Sequence, residues 1–173
     1  MKKKFINKAV FLDRDGVINY DYGYVYEIKN FKFKKNVFEA VKFLNKNNYL
    51  VIIVTNQSGI GRGYYTKKDL LILHKWMKKK FSENNAFIDD IYYSPYYKNS
   101  KKKYSYSEKM RRKPNIGMII EAKKKWLINI KESFMVGDSV VDRKLALNAK
   151  LRFIKVNSKS DLFKIISKKI RSI

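Results

Sequence analysis

The chain has 173 residues, no cysteine and a formal net charge of +25. That length fits one domain with a sizeable core. The missing cysteines exclude disulfides and thiolate metal sites, and no apolar run approaches the roughly 18 residues of a membrane-spanning helix. So high a charge is one footprint of nucleic-acid binding, but only seven of the 40 basic residues are Arg. Asn, Ile, Tyr and Phe are abundant while Ala, Gly and Pro are scarce, the composition of an A+T-biased genome. No specific nucleic-acid partner is therefore expected, and the charge is read as steering for small anions. The apolar segment after Met1-Lys2-Lys3-Lys4 is too short for a signal peptide, so a cytoplasmic monomer with no membrane partner is expected.

In chain order, the apolar run at Lys8–Leu12 predicts a first strand. Helical spacing of Val37, Val41 and Leu44 predicts a helix over 35–47, and Leu50–Val54 predicts a second strand. Thr66 is placed to cap a helix from Lys67 to about Asn84, with Leu70, Leu73, Met77 and Phe81 on its inner stripe. A third strand follows at 88–93, then a long loop, 94–111, of the length that is usually functional or disordered. Asn115 is placed to cap a helix over 116–127. A fourth strand at 133–136, a short helix at 142–148, a fifth strand at 151–156 and a peripheral helix over 158–173 complete the chain. The alternation predicts a single α/β domain, a Rossmann-like three-layer fold with a mostly parallel sheet. No insertion is large enough for a separate cap domain, so loops alone should shape the pocket.

Three of these strands end in small polar or acidic residues. The first runs into Asp13-Arg14-Asp15-Gly16, the second into Thr55-Asn56-Gln57-Ser58-Gly59, and the fourth into Gly137-Asp138-Ser139-Val140-Val141-Asp142. In open α/β sheets, ligands bind at the carboxyl ends of the strands. Paired carboxylates there suit Mg²⁺, which takes oxygen ligands together with substrate phosphates. An Asx-rich turn is the other reading of Asp13–Gly16 taken alone. Arg112-Lys113-Pro114 adds cationic charge before a predicted helix. His74, the only histidine, falls on a helix away from the strand ends and is read as structural.

The ordered set Asp13/Asp15, Thr55, Lys113 and Asp138/Asp142 resembles the four motifs of the haloacid dehalogenase superfamily of Mg²⁺-dependent phosphotransferases. Further stretches (Gly23-Tyr24-Val25, TNQSGIGRG from Thr55 to Gly63, Leu73–Met77, Ile91-Tyr92-Tyr93 and RKPNIGM from Arg112 to Met118) resemble one subgroup over 8–156. That subgroup is the D-glycero-D-manno-heptose 1,7-bisphosphate 7-phosphatases of lipopolysaccharide assembly, with histidinol-phosphate phosphatases as close relatives. A nucleic-acid 3′-phosphatase is a more distant alternative.

The resemblance implies Asp13 as nucleophile and Asp15 as general acid and base. It places Mg²⁺ on Asp13, the Asp15 carbonyl and Asp138, with Asp142 orienting Asp138 or a metal-bound water. Thr55 and Lys113 are expected to hold phosphoryl oxygens. Asp21, Tyr22, Gly23, Tyr24, Asn56, Gln57, Ser58 and Ser139 are expected along the substrate, with Arg62 and Arg112 as candidates for its second phosphate. The chain departs from its relatives at their zinc positions, Cys-x-His and Cys-x-Cys, where it has Ser94, Tyr96, Lys109 and Arg111. Zinc is not expected. Tyr92, Tyr93, Tyr96, Tyr97, Tyr104 and Tyr106 are expected to pack the loop instead.

Overall fold

A computed structural model describes residues 6–100, 104 and 110–171 of the chain. Of the sequence expectations, Lys109, Tyr106 and the basic run Met1-Lys2-Lys3-Lys4 lie outside the described residues. The strands are β1 (Lys8–Leu12), β2 (Tyr49–Asn56), β3 (Asp90–Ser94), β4 (Phe134–Gly137) and β5 (Arg152–Lys155). They form one parallel sheet in the order β3-β2-β1-β4-β5.

The central strands β1, β2 and β4 read as near-continuous apolar runs because both of their faces are covered. Val10, Leu12, Val51, Ile53, Phe134 and Val136 point to one side, where they meet α1 (Val37–Lys46), α3 (Lys67–Glu83) and α6 (Leu162–Arg171). Ala9, Phe11, Ile52, Val54 and Met135 point to the other, against α4 (Gly117–Trp126) and α5 (Val140–Asn148). The predicted stripe of α3 is fully buried, and Thr66 caps that helix in a reciprocal box with Asp69.

Three local expectations are corrected. A four-residue turn of helix, α2 (Gly59–Arg62), follows β2 where no helix is predicted. Asn115 does not cap α4: Ile116 holds that position without a side-chain cap, and the Asn115 N–H instead closes a turn onto the Arg112 carbonyl at 2.9 Å. The fourth helix-forming segment begins at Val140 rather than Asp142, because Ser139 and Asp142 form a capping box.

The sheet order sets the location of the site. From β1 the chain moves outward to β2 and β3, then crosses back to place β4 on the other side of β1. The connections therefore diverge above the β1–β4 pair, which leaves a crevice at the carboxyl edge. The Asp13 N–H donates to the Val136 carbonyl across that pair at 3.0 Å.

Candidate active site

The crevice is a cleft of about 370 Å³ lined by Asp13, Asp15, Thr55, Lys113, Asp138 and Ser139, with Asp21, Gly23, Tyr24, Asn56, Gln57 and Ser58 around its mouth and floor. The residues come from the ends of β1, β2 and β4, the loop after β1 and the loop before α4. The chain brings them together only because all strands are parallel.

Lys113 is buried, and its ammonium lies 2.8 Å from Asp13 Oδ1 and 2.6 Å from Asp142 Oδ1. Its backbone is clamped by Asn56, whose side-chain oxygen accepts from the Lys113 N–H at 3.0 Å and whose amide donates to the Lys113 carbonyl at 3.2 Å. Two buried carboxylates share this one cation. Burial pushes the Asp13 carboxyl up to about 7, Lys113 pulling it back and the Asp142 charge adding to the rise. Burial alone would lower Lys113, but the attraction of Asp13 and Asp142 outweighs it and holds the ammonium above its ordinary value. Asp142 is fully buried and also accepts from the Ser139 N–H and hydroxyl. It is thus tied to Lys113 and to the start of α5 while its carboxylate also sits in the oxygen cluster with Asp13 and Asp138.

Asp15 has a different environment. Its Oδ1 accepts from Arg14 Nη2 at 2.9 Å and Asn19 Nδ2 at 3.0 Å, and its Oδ2 accepts from Gln57 Nε2 at 2.9 Å. Burial opposes its ionisation, but the Arg14 charge and these donors prevail and keep it below the usual carboxylate range. The two carboxylates of one tetrapeptide thus have proton affinities driven apart. Gln57 also donates to Thr55 Oγ1 at 3.0 Å and accepts from the Tyr65 hydroxyl at 2.6 Å. The Asn56 and Gln57 amides are therefore engaged in building the site whose cleft they line.

Gly16 has φ +79°, and a Cβ there would overlap the Asp138 carboxylate. Only glycine both adopts this conformation cheaply and lets the β1 loop approach Asp138 so closely. Oxygens of Asp13, Asp138 and Asp142 lie within 4.8 Å of one another, the single such cluster of metal-capable side chains among the described residues. A purely oxygen donor set of this charge fits Mg²⁺.

Three expected substrate residues do not line this cleft. Tyr22 borders two neighbouring hollows. Arg62 lies over the Tyr97 ring, 3.5 Å from its centroid, and faces an adjoining cavity of about 620 Å³. Arg112 donates from Nη1 to the Tyr96 carbonyl at 3.0 Å. Of the relatives' zinc positions, Ser94 ends β3 with its carbonyl accepting from the Gln57 N–H at 2.7 Å, and Arg111 pairs with Glu121 at 2.9 Å. Tyr96 and Tyr104 rings approach to 6.5 Å.

Sequence reasoning missed Arg14, Asn19 and Lys34. Arg14 is wholly buried, and His74 approaches it, which corrects the placement of that histidine away from the strand ends. Lys34 is buried and ties the Gly16 carbonyl to that of Asn157, at 3.0 and 2.6 Å. Lys34 carried no signal in so lysine-rich a chain. Arg14 did carry one, since an Arg between two acids at a buried strand end has no solvent to face.

Fold and site together define a phosphatase of the haloacid dehalogenase type. The family model described as polynucleotide kinase 3 phosphatase matches residues 15–163. The chain is 45% identical over 147 residues to the D-glycero-beta-D-manno-heptose-1,7-bisphosphate 7-phosphatase of Haemophilus influenzae, covering 85% of this chain and 79% of that one. It is 42% identical over 142 residues to the D-glycero-alpha-D-manno-heptose-1,7-bisphosphate 7-phosphatase of Campylobacter jejuni, covering 82% and 77%. In fold it is similar to the D,D-heptose 1,7-bisphosphate phosphatase of B. bronchiseptica, a structure complexed with magnesium and phosphate (TM-score 0.78, 22% identity, 96% and 99% of the two chains). The chain belongs to this family of haloacid dehalogenase-like heptose bisphosphate phosphatases. Among the described residues, no helix is long and apolar enough to cross a membrane.

Proposed function

We propose that this enzyme removes the 7-phosphate of D-glycero-D-manno-heptose 1,7-bisphosphate through an aspartyl-phosphate on Asp13, with Mg²⁺ as cofactor. The observation that carries the substrate is the 45% identity to the Haemophilus influenzae phosphatase over 85% of the chain. Asp13 Oδ attacks phosphorus, the bond from phosphorus to the C7 oxygen breaks, and Asp15 delivers a proton to that leaving oxygen. Water then attacks the acyl phosphate, gives its proton to Asp15 and frees Asp13 with inorganic phosphate. Asp15 is held ionised before substrate arrives. A phosphoryl dianion beside it raises its proton affinity, as like charges do.

Lys113 and Thr55 hold the phosphoryl oxygens, and Lys113 also partners the attacking carboxylate. Asp13, Asp138 and the Asp15 carbonyl hold the Mg²⁺. When bound, that ion offsets the repulsion between Asp13 and the dianionic phosphate. Asp142 holds Lys113, and Asn56 holds its backbone. The substrate's distal end extends past Tyr24 and Asp21 towards Arg62 and Arg112. Zinc has no part in this reading, and loops rather than a cap domain shape the pocket.

The test is a phosphate-release screen with Mg²⁺ over the α and β anomers of heptose bisphosphate, histidinol phosphate and 3′-phosphorylated DNA. The last is included because the matching family model is named for a polynucleotide phosphatase and the net charge is +25. The expected result is strong preference for a heptose bisphosphate. Efficient release from 3′-phosphorylated DNA with none from either heptose anomer would overturn the proposal.

A further inference from the structure

Arg14 is fully buried beside the cleft, yet the reaction above gives it no contact with substrate. A guanidinium carries five N–H donors in a rigid fork and no acceptor. Here Nε donates to Asp15 Oδ1 at 3.2 Å, and Nη2 reaches both Asp15 oxygens, at 2.9 and 3.0 Å. Nη2 also donates to the Val25 carbonyl at 2.6 Å. Nη1 points the other way, at His74 Nε2, 3.3 Å distant. Since Arg14 can only donate, Nε2 is the acceptor and the imidazole proton sits on Nδ1.

His74 projects from the buried stripe of α3, between Leu70, Leu73 and Met77, with its ring edge-on to Tyr93 at 6.0 Å. An apolar residue would fill that stripe as well, but it would offer Arg14 nothing. His74 is thus the group on the helix that fixes how the guanidinium is rotated. The guanidinium, pinned at its far end, fixes the plane of the Asp15 carboxylate.

We infer that His74, acting through Arg14, is a positioning residue for Asp15, so that a helix packed under the sheet edge sets the aim of the proton donor. This rests on the reading of Asp15 as acid and base. Its distinctive consequence is leaving-group dependence. A sugar alkoxide must receive a proton as it departs, whereas 4-nitrophenolate departs without one. Misaiming Asp15 should therefore slow expulsion of the sugar and spare that of the phenolate.

The experiment measures the first, leaving-group-expelling step under single-turnover conditions, on heptose bisphosphate and on 4-nitrophenyl phosphate. His74→Leu should slow the sugar substrate about tenfold, a part of the roughly 10²–10⁴ that a positioned acid contributes. The aryl substrate should stay within about twofold, and KM should hold for both, because only proton delivery is impaired. His74→Gln, which restores an acceptor towards Arg14, should recover most of the loss. If His74→Leu does not give a cooperative melt, His74→Asn serves in its place, being too short to reach Arg14. Equal losses on both substrates, or no loss on the sugar, overturn the inference. Asp15→Asn is run alongside: equal losses there show that the reading of Asp15 itself fails. A leaving-group-selective Asp15→Asn with a non-selective His74→Leu shows that only the role of His74 fails.

Discussion

The ammonium of Lys113 lies 2.8 Å from the carboxylate of Asp13, the group we propose as the nucleophile. The contact is part of a buried cluster of two acids and one base, completed by Asp142 at 2.6 Å. Such a cluster is easily upset, because removing one partner strands the others without water. Lys113→Met should cost about 3–5 kcal/mol at neutral pH by that rule, read from urea unfolding, and should reduce phosphate release to background. A variant as stable as wild type would overturn the reading of these three groups as a mutually dependent buried cluster.

Asp13→Asn removes one charge from the same cluster while keeping its shape and its hydrogen-bonding oxygen. The fold should persist, since burial already favours an uncharged group at this position. Turnover should vanish, because an amide cannot form the acyl phosphate. The check is circular dichroism beside a phosphate-release assay with Mg²⁺. Appreciable turnover by Asp13→Asn would rule out the covalent route.

Chelation should abolish activity, and Mg²⁺ alone should restore it. The clustered carboxylates of Asp13, Asp138 and Asp142 offer only oxygen, while at two of the relatives' zinc positions Ser94 offers no thiolate, imidazole or carboxylate and Arg111 pairs with Glu121. Elemental analysis of purified protein should find no stoichiometric zinc. One tightly held zinc per chain would contradict the reading of the 94–111 loop.

Stability should depend on His74 in acid. Burial first, then the Arg14 charge, push its imidazole down to about 3 from 6.5. A folded-state value below the unfolded one means that the unfolded chain takes the proton first. The contribution of His74 is therefore fully present above pH 6.5 and is lost as pH falls towards 3. At pH 5 the loss is about 2 kcal/mol, at about 1.4 kcal/mol per pH unit. Asp13, raised to about 7, works in the opposite direction over much of this window. The comparison should therefore be made in an Asp13→Asn background. There, adding His74→Leu should flatten the decline in urea midpoint between pH 7.5 and 5; an unchanged slope would count against a neutral buried imidazole.

Arg112→Ala should lower kcat/KM for heptose bisphosphate by about 1.5–3 kcal/mol, the range for a hydrogen bond to a charged group. Its guanidinium is already braced by the Tyr96 carbonyl, which limits its freedom to fold away from the cleft. Added nucleic acid should inhibit only weakly at physiological salt, where non-specific Kd is typically about 10⁻⁴–10⁻⁶ M. Competition at far lower concentrations would restore a polyanion role for the lysines.

The sheet was legible in the chain because its central strands are apolar runs bounded by polar residues, and β1 begins and ends where the pattern places it. The α3 stripe was legible for the same reason, its period matching a helix with one buried side. Element ends were less so. Asn115 has the chemistry of a cap, but its N–H is used in the turn from Arg112, so the helix starts two residues later. Of the site, the acids at the strand ends could be picked out because their context leaves them no solvated surface. What holds them was hidden. Arg14, Asn19, Gln57 and His74 meet Asp15 or one another only after residues up to 60 positions apart in sequence are folded together.

The capping box of α5 has a further consequence. Helix ends commonly fray, opening and closing at little free-energy cost. Here the carboxylate that closes the first turn, Asp142, is the one that balances Lys113 beside Asp13. Opening that turn would strip a counter-charge from a buried ammonium, so it cannot happen as a cheap local event. The Ser139 and Asp142 amides, which the box engages, should consequently exchange with solvent far more slowly than those of an ordinary helix end, and the centre beside Asp13 is thereby insulated from the breathing of the helix on which it rests.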